Sequence, residues 1–348
     1  MCEDFDAIRP AINWFAGQRL APFDFQIQTW LAYLQGKSGL VHAPTGIGKT
    51  WSVWLGPVLE WIADCNGRAA NTEPEQPLRV LWITPLRALA ADTREALFTP
   101  IQQLGLPWTV ETRTGDTPVS ARRRQKKALP TCLITTPESL ALLLSYPETR
   151  AQLTELKAVV VDEWHELIGS KRGVLTELGL ALLRRWNPAL RIWGLSATLG
   201  NTDLAMAALL GNEAKNGRLI RAELSRIISV ESILPDTVER FPWAGHLGLR
   251  LLPRVIDVIE SATSTLVFVN TRSQAEIWYQ SLLEARPDWA GVMALHHGSL
   301  DRQTRTTVED YLRQGRLKCV VCTSSLDLGV DFSPVDRVVQ VGSPKGIA

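Results

Sequence analysis

Short apolar runs rich in β-branched residues recur through the first half of the chain, separated by longer stretches of helical periodicity. Residues 39–42, 79–84, 131–135, 158–161 and 191–195 read as strands, and residues 88–98 and 176–185 read as helices between them. Such alternation specifies a parallel sheet covered by helices. A second alternation follows: strand 265–269, helix 273–285, strand 292–296, helix 302–313, strand 319–323 and strand 337–341. The expected fold class is therefore α/β, with two parallel-sheet domains in tandem, the second incomplete. Residues 215–217 read as a surface loop. Residues 227–233 read as a strand that runs into a linker, where Pro235, Pro242 and Gly245 interrupt regular structure. The expected boundaries are a first domain over 1–225, a linker over 226–245 and a second domain over 246–348.

Composition narrows the class. The chain has 348 residues, 45% hydrophobic and 21% charged, with a net charge of +1. These values fit a globular protein, and no apolar run approaches a membrane span. No apolar secretory segment follows the acidic start, so a cytoplasmic protein is expected, nucleoid-associated in a bacterium. Near-neutral charge means that any basic surface is local. The densest patch, Arg122-Arg123-Arg124-Gln125-Lys126-Lys127, reads as a solvated helix face or as a phosphate contact. Five scattered cysteines give no disulfide framework. Cys319 and Cys322 lie three apart in a strand and point to opposite faces, which argues against a zinc site. Trp82 and Trp193, within apolar runs, read as core.

Two motifs carry the chemistry. His42-Ala43-Pro44-Thr45-Gly46-Ile47-Gly48-Lys49-Thr50 follows a strand and precedes a helical run. Gly46 and Gly48 let backbone amides approach phosphate oxygens at a helix N-terminus. Lys49 would reach the outer phosphates, and the Thr50 hydroxyl would ligate magnesium. Ala43 stands where the strict phosphate-loop pattern has glycine. Asp162-Glu163-Trp164-His165 follows the apolar run 158–161. Two adjacent carboxylates at the end of a buried strand are costly unless a cation binds them. Asp162 is the expected magnesium ligand, and Glu163 the base or orienter of an attacking water. His165 would link this end of the sheet to other loops. The expected cofactors are thus ATP and Mg2+.

Thr84-Pro85-Leu86-Arg87 and Thr136-Pro137-Glu138-Ser139 each follow a strand. Threonine suits the N-cap and proline the first helical position. Both segments would present a helix N-terminus at the strands' C-terminal edge, where α/β sheets bind ligands. A row of such termini can hold a phosphate backbone without reading bases.

The loop at 43–50, Asp162-Glu163-Trp164-His165 and Ser196-Ala197-Thr198 resemble motifs I, II and III of superfamily 2 helicases. Trp164, with Glu166-Leu167 after it, resembles the Lhr (large helicase-related) branch, especially its ligase-associated DEXH-box members. The resemblance covers nearly the whole chain and implies two RecA-like domains. By it, Gln26 in Pro22-Phe23-Asp24-Phe25-Gln26 reads adenine, with Thr45, Gly46, Ile47, Gly48, Lys49 and Thr50 on the phosphates. Ser196, Ala197 and Thr198 couple ATP state to domain movement. Thr84, Pro85 and Arg87 resemble motif Ia, and Thr136, Pro137 and Glu138 resemble motif Ib; Gly115 and Asp116 add a loop contact. In the second domain the resemblance places Thr271, Arg272, His297 and Thr323 on nucleic acid, and Gly329 and Asp331 on the nucleotide.

The resemblance implies an ATP-dependent DNA helicase moving 3′→5′ on single-stranded or partly duplex DNA, in DNA repair, with ligase or nuclease partners and no membrane association. RNA as the track, and a non-hydrolysing nucleic-acid-binding module, remain alternatives. The arginines of motif VI are expected after Ala348, so the sequence reads as part of a longer helicase that binds ATP and hydrolyses it poorly alone.

Overall fold

The computed structural model describes residues 2–66, 77–222, 229–234, 248–323, 326 and 335–343. The chain divides into two compact units, residues 1–225 and 226–347.

Unit one runs α1 (Cys2–Gly17), α2 (Asp24–Leu34), β1 (Gly39–His42), α3 (Lys49–Asn66), β2 (Val80–Ile83), α4 (Arg87–Gln103), β3 (Val110–Arg113) and α5 (Val119–Lys127). It continues with β4 (Cys132–Thr135), α6 (Pro137–Leu144), α7 (Thr149–Gln152), β5 (Ala158–Val161), α8 (Trp164–Leu167), α9 (Lys171–Trp186), β6 (Arg191–Ser196), α10 (Thr202–Leu210) and β7 (Arg218–Arg221). The seven strands order β3-β4-β2-β5-β6-β1-β7, and every pairing is parallel. The inner strands are apolar on both faces because both are covered. Val80, Trp82, Ala158 and Val160 point into one core layer, whereas Leu81, Ile83, Val159 and Val161 point into the other. The registers Ile83 with Val161 and His42 with Ser196 level the strand ends. The segments that leave β2, β5, β6 and β1 therefore emerge along one edge, where such sheets bind ligands.

Unit two runs α11 (Leu252–Glu260), β8 (Thr265–Phe268), α12 (Arg272–Ala285), β9 (Met293–His296), α13 (Arg302–Arg313), β10 (Cys319–Cys322) and β11 (Arg337–Gln340). Its parallel sheet has the order β11-β8-β10-β9. Cys319 and Cys322 pack into separate core clusters, in keeping with their alternation along β10.

Two expectations need correction. The described part of the expected strand at 227–233 is irregular. Val230 is 89% exposed there, and β-branched residues without a pairing partner and a face to bury do not make a strand. Conversely, β3 and β7 lie outside the expected strands, and residues 215–216 belong to a 3-10 turn just before β7.

Candidate nucleotide site and nucleic-acid track

The loop between β1 and α3 starts in register with the sheet, because Ala43 N donates to Ser196 O at 3.0 Å. It then turns through Gly46 and Gly48, at φ 78° and 79°. That left-handed region is open to glycine and costly for other residues. A Cβ on Gly48 would stand 2.7 Å from Gln26 Nε2. Gln26 is 1% exposed. Its Nε2 donates to Gly48 O at 3.0 Å, and its Oε1 accepts from Phe23 N at 2.9 Å. The amide thus joins the start of α2 to the loop. Gln28, its neighbour in sequence, is exposed.

Lys49 opens α3 and is buried. Thr50 and Gly48 are half-buried, Ile47 is buried, and Thr45 and Gly46 are exposed. Lys49 Nζ lies 3.8 Å from Glu163 Oε2, and neither atom has a hydrogen-bond partner among the described residues. Burial pulls the Lys49 ammonium below the usual lysine range, while Glu163 and Asp162 oppose the shift.

Asp162 extends β5, its N–H donating to Ile83 O at 2.8 Å. Burial, and then the Glu163 charge, push its carboxyl up to about 7. Trp82 Nε1 donates to Oδ2 at 3.2 Å, and Glu163 N donates to Oδ1 at 2.9 Å. Burial also raises Glu163; Lys49 opposes that shift and Glu166 adds to it. Glu163 adopts φ 43°, ψ 50°, left-handed for a residue with a side chain. Such strain costs on the order of 1–3 kcal/mol and clusters at functional sites. Trp164 is wholly buried, and its Nε1 donates to Ala205 O at 2.9 Å, tying this turn to α10. His165 Nδ1 lies 3.1 Å from Ser196 Oγ and 3.5 Å from Glu163 Oε2. Ser196 is buried, Ala197 is half-buried and Thr198 is exposed.

These groups fit a magnesium nucleotide. A buried ammonium without a hydrogen-bond partner suits an anion, and two carboxyls held toward protonation suit a cation. Beside the loop, His42, Pro44, Ala197, Gly200, Thr202 and Arg221 line a cleft of ≈ 310 Å³. Sequence reasoning missed its His42 and Arg221, and it treated Trp82 as core alone.

The strand order β3-β4-β2 places the loops after these strands side by side. After β4, Thr136 is the N-cap of α6 and Pro137 its first residue, in agreement with the sequence expectation. After β2 the expectation fails: the N-cap of α4 is Leu86, not Thr84. Thr84 N still bonds Thr135 O at 2.9 Å, so Thr84 continues the ladder and Pro85 belongs to the turn. After β3, Asp116 pairs with Arg87 of α4 at 3.2 Å. The Arg87 guanidinium lies so close to Gly115 that a Cβ there would stand 2.5 Å from it. Glu138 pairs with Arg172 of α9. In the basic patch, Arg122 donates to Thr117 O and Gly115 O, and Arg124 donates to Glu111.

In unit two, Thr271 caps α12 and accepts from Gln274 N at 3.3 Å. Arg272 Nη2 is 3.9 Å from the Cβ position of Gly298, so the Arg272 side chain reaches from the start of α12 to the turn after β9. Thr323 N bonds His296 O at 3.2 Å. His297 is 3% exposed, and its Nε2 lies 3.5 Å from Glu276 Oε1 of α12. Gly329 and Asp331 lie outside the described residues.

The chain is similar to known proteins. The chain is 36% identical to the ATP-dependent helicase Lhr-Core protein 2 of Thermococcus barophilus, over 97% of the chain and 40% of that protein. It is 31% identical to the Lhr helicase/uracil glycosylase of Escherichia coli, over 99% of the chain and 26% of that protein. Among solved structures, the Mycobacterium smegmatis helicase Lhr bound to ssDNA and AMP-PNP superposes with a TM-score of 0.74 at 35% identity, over 95% of this chain and 43% of that one. The chain thus spans less than half the length of these relatives. Residues 249–348 match the helicase conserved C-terminal domain. Residues 23–206, more than half the chain, match the DEAD/DEAH box helicase model, and they contain the loop, both carboxylates and Ser196 described above; the chain belongs to the DEAD/DEAH box helicase family.

Proposed function

We propose that the chain is the ATP-driven motor of an Lhr-type DNA helicase, moving 3′→5′ on single-stranded DNA and unwinding duplex in DNA repair. The observation that carries this reading is Lys49, buried with no hydrogen-bond partner among the described residues, facing Glu163 beside Asp162. In this proposal the 45–48 amides and Lys49 receive the phosphates of ATP, and Gln26 holds the loop through Gly48 O. Its contact with adenine would use the hydrogen-bonding capacity left on the same amide. Thr50 and Asp162 would hold magnesium, which when bound neutralises phosphate charge. Glu163 then takes a proton from the attacking water. Burial, which raises its pKa, makes it a stronger base for that proton than an exposed carboxylate. When an anion draws Lys49 away, Glu163 keeps its contact with His165, and His165 keeps Ser196. Motif II is thereby joined to the Ser196–Thr198 segment that would couple hydrolysis to movement.

The nucleic-acid track is assigned to Thr84, Pro85, Arg87, Gly115, Asp116, Thr136, Pro137 and Glu138 in unit one. Thr271, Arg272, His297 and Thr323 are assigned to it in unit two, with Gly329 and Asp331 toward the nucleotide. His297 would act from beneath the Gly298 turn. DNA is favoured because the related Lhr structure at 35% identity is described as bound to ssDNA. Polarity, the repair role, ligase or nuclease partners and a cytoplasmic, nucleoid-associated location rest on the resemblance to the ligase-associated branch. The test is phosphate release stimulated by matched DNA and RNA strands. Lys49→Ala should abolish it with the fold intact; unchanged stimulated release in that variant would sink the proposal. Strand displacement from forks with opposite overhangs reads the polarity.

A further inference from the structure

Trp82 stands in the middle of the seven-stranded sheet, wholly buried, on the strand next to β5. Its register partner is Val160. The next residue along β5 on the same face is Asp162, the diagonal neighbour, within reach of an aromatic side chain. The indole N–H takes that diagonal and donates to Asp162 Oδ2 at 3.2 Å. Trp30, Trp51, Trp54, Trp164 and Trp193 donate instead to main-chain carbonyls. Those bonds satisfy a buried N–H and tie elements together. The Trp82 bond ends on an ionisable group at the edge where the phosphate loop emerges. The other oxygen of that carboxylate is held by Glu163 N at 2.9 Å. With one donor on each oxygen, rotation of the carboxylate about its last bond breaks two hydrogen bonds.

We propose that Trp82 is a positioning residue for metal-nucleotide binding: its N–H, delivered from the core, fixes Asp162 in one orientation before a cation arrives. The inference rests on the reading of Asp162 as the magnesium ligand. Groups that orient metal ligands in this way typically change metal affinity by about 10–100-fold when removed. A role confined to core packing would act on stability and leave the cation's contribution to nucleotide affinity alone.

The test is calorimetric titration of the whole chain with AMP-PNP, in EDTA and with Mg2+. The quantity read is the ratio of the two Kd values. Trp82→Phe removes the N–H and keeps an aromatic ring. It should leave the EDTA affinity unchanged and reduce the magnesium-dependent gain by about 10-fold or more. Trp193→Phe is the control, because it removes a buried indole from the same sheet whose N–H serves Lys37 O. Equal ratios in Trp82→Phe, Trp193→Phe and the parent protein would overturn the inference. If Trp82→Phe does not fold, β-(3-benzothienyl)alanine at position 82 keeps the ring outline with sulfur in place of N–H and answers the same question. Asp162→Asn separates the two readings: loss of the magnesium effect there, with none in the position 82 variants, removes Trp82 alone. A full magnesium effect in Asp162→Asn removes the parent reading.

Discussion

Lys49 Nζ faces Glu163 Oε2 across 3.8 Å, too far for a hydrogen bond and close enough for each charge to steady the other. The Lys49 charge lowers the Glu163 pKa, and burial works against both partners. On the proposed function the pair would behave as a latch: an arriving phosphate would take over Lys49 and leave Glu163 the stronger base.

The nucleotide-free protein should lose stability between about pH 4 and pH 7 through Asp162. Its folded pKa of about 7 exceeds the ordinary 3.8. In that window the folded state therefore holds a proton that the unfolded chain has released. Stability from this group is fully present below about pH 4 and is lost as pH rises to 7. One proton gives a slope of at most about 1.4 kcal/mol per pH unit. Thermal melts from pH 5 to 8 should show the fall in the parent protein and a flatter profile in Asp162→Asn. Parallel profiles would refute the assignment.

Glu163→Ala and Glu163→Gly should both stop hydrolysis, yet differ in stability. Both remove the carboxylate; alanine alone keeps a Cβ at φ 43°. The left-handed conformation costs an L residue about 1–2 kcal/mol, and glycine's greater freedom when unfolded offsets part of that. Urea denaturation should find Glu163→Gly the more stable variant by about 1 kcal/mol. The reverse order would mean that residue 163 is not held left-handed in solution.

How far the sequence reached is clear at particular residues. β1 and β5 match their expected bounds because Gly39–His42 and Ala158–Val161 are apolar runs covered on both faces, a signal that is local. β3 and β7 are edge strands: Val110-Glu111-Thr112-Arg113 and Arg218-Leu219-Ile220-Arg221 carry polar residues, and only the neighbour shows that they pair. The Thr84-Pro85 and Thr136-Pro137 segments look alike, yet Thr84 is kept in the ladder by Thr135. The residue types of the candidate site could be picked out because their motifs are contiguous. The partners Trp82, Gln26 to Gly48 and His165 to Ser196 join segments far apart in the chain, and spacing encodes none of those distances.

His165→Ala and Ser196→Ala should act on coupling more than on chemistry. Their 3.1 Å contact joins the turn after β5 to the end of β6. Each variant should retain basal phosphate release within a few-fold and lose most of the stimulation by single-stranded DNA. Contacting residues typically show interaction energies of about 0.5–3 kcal/mol, so the double variant should be no worse than the poorer single one. Additive losses in stimulated turnover would show that the two side chains act independently.

Arg87 is held to Asp116 on the surface, with side chains 61% and 69% exposed. A pair so exposed contributes little to stability; its carboxylate occupies a guanidinium that a phosphate could otherwise take. If Arg87 contacts a phosphate, Arg87→Ala should weaken single-stranded DNA binding at low salt and reduce the slope of log K against log salt by about 0.7, the value for one phosphate contact on a single strand. Asp116→Ala removes a competing anion and should tighten binding with the slope unchanged or steeper. Melting temperatures should stay within a degree or two of the parent protein in both variants, as expected for surface substitutions. Fluorescence anisotropy over a salt series separates the outcomes: an unchanged slope in Arg87→Ala would take the arginine off the track, and weaker binding in Asp116→Ala would mean that the carboxylate serves to aim Arg87 rather than to compete for it.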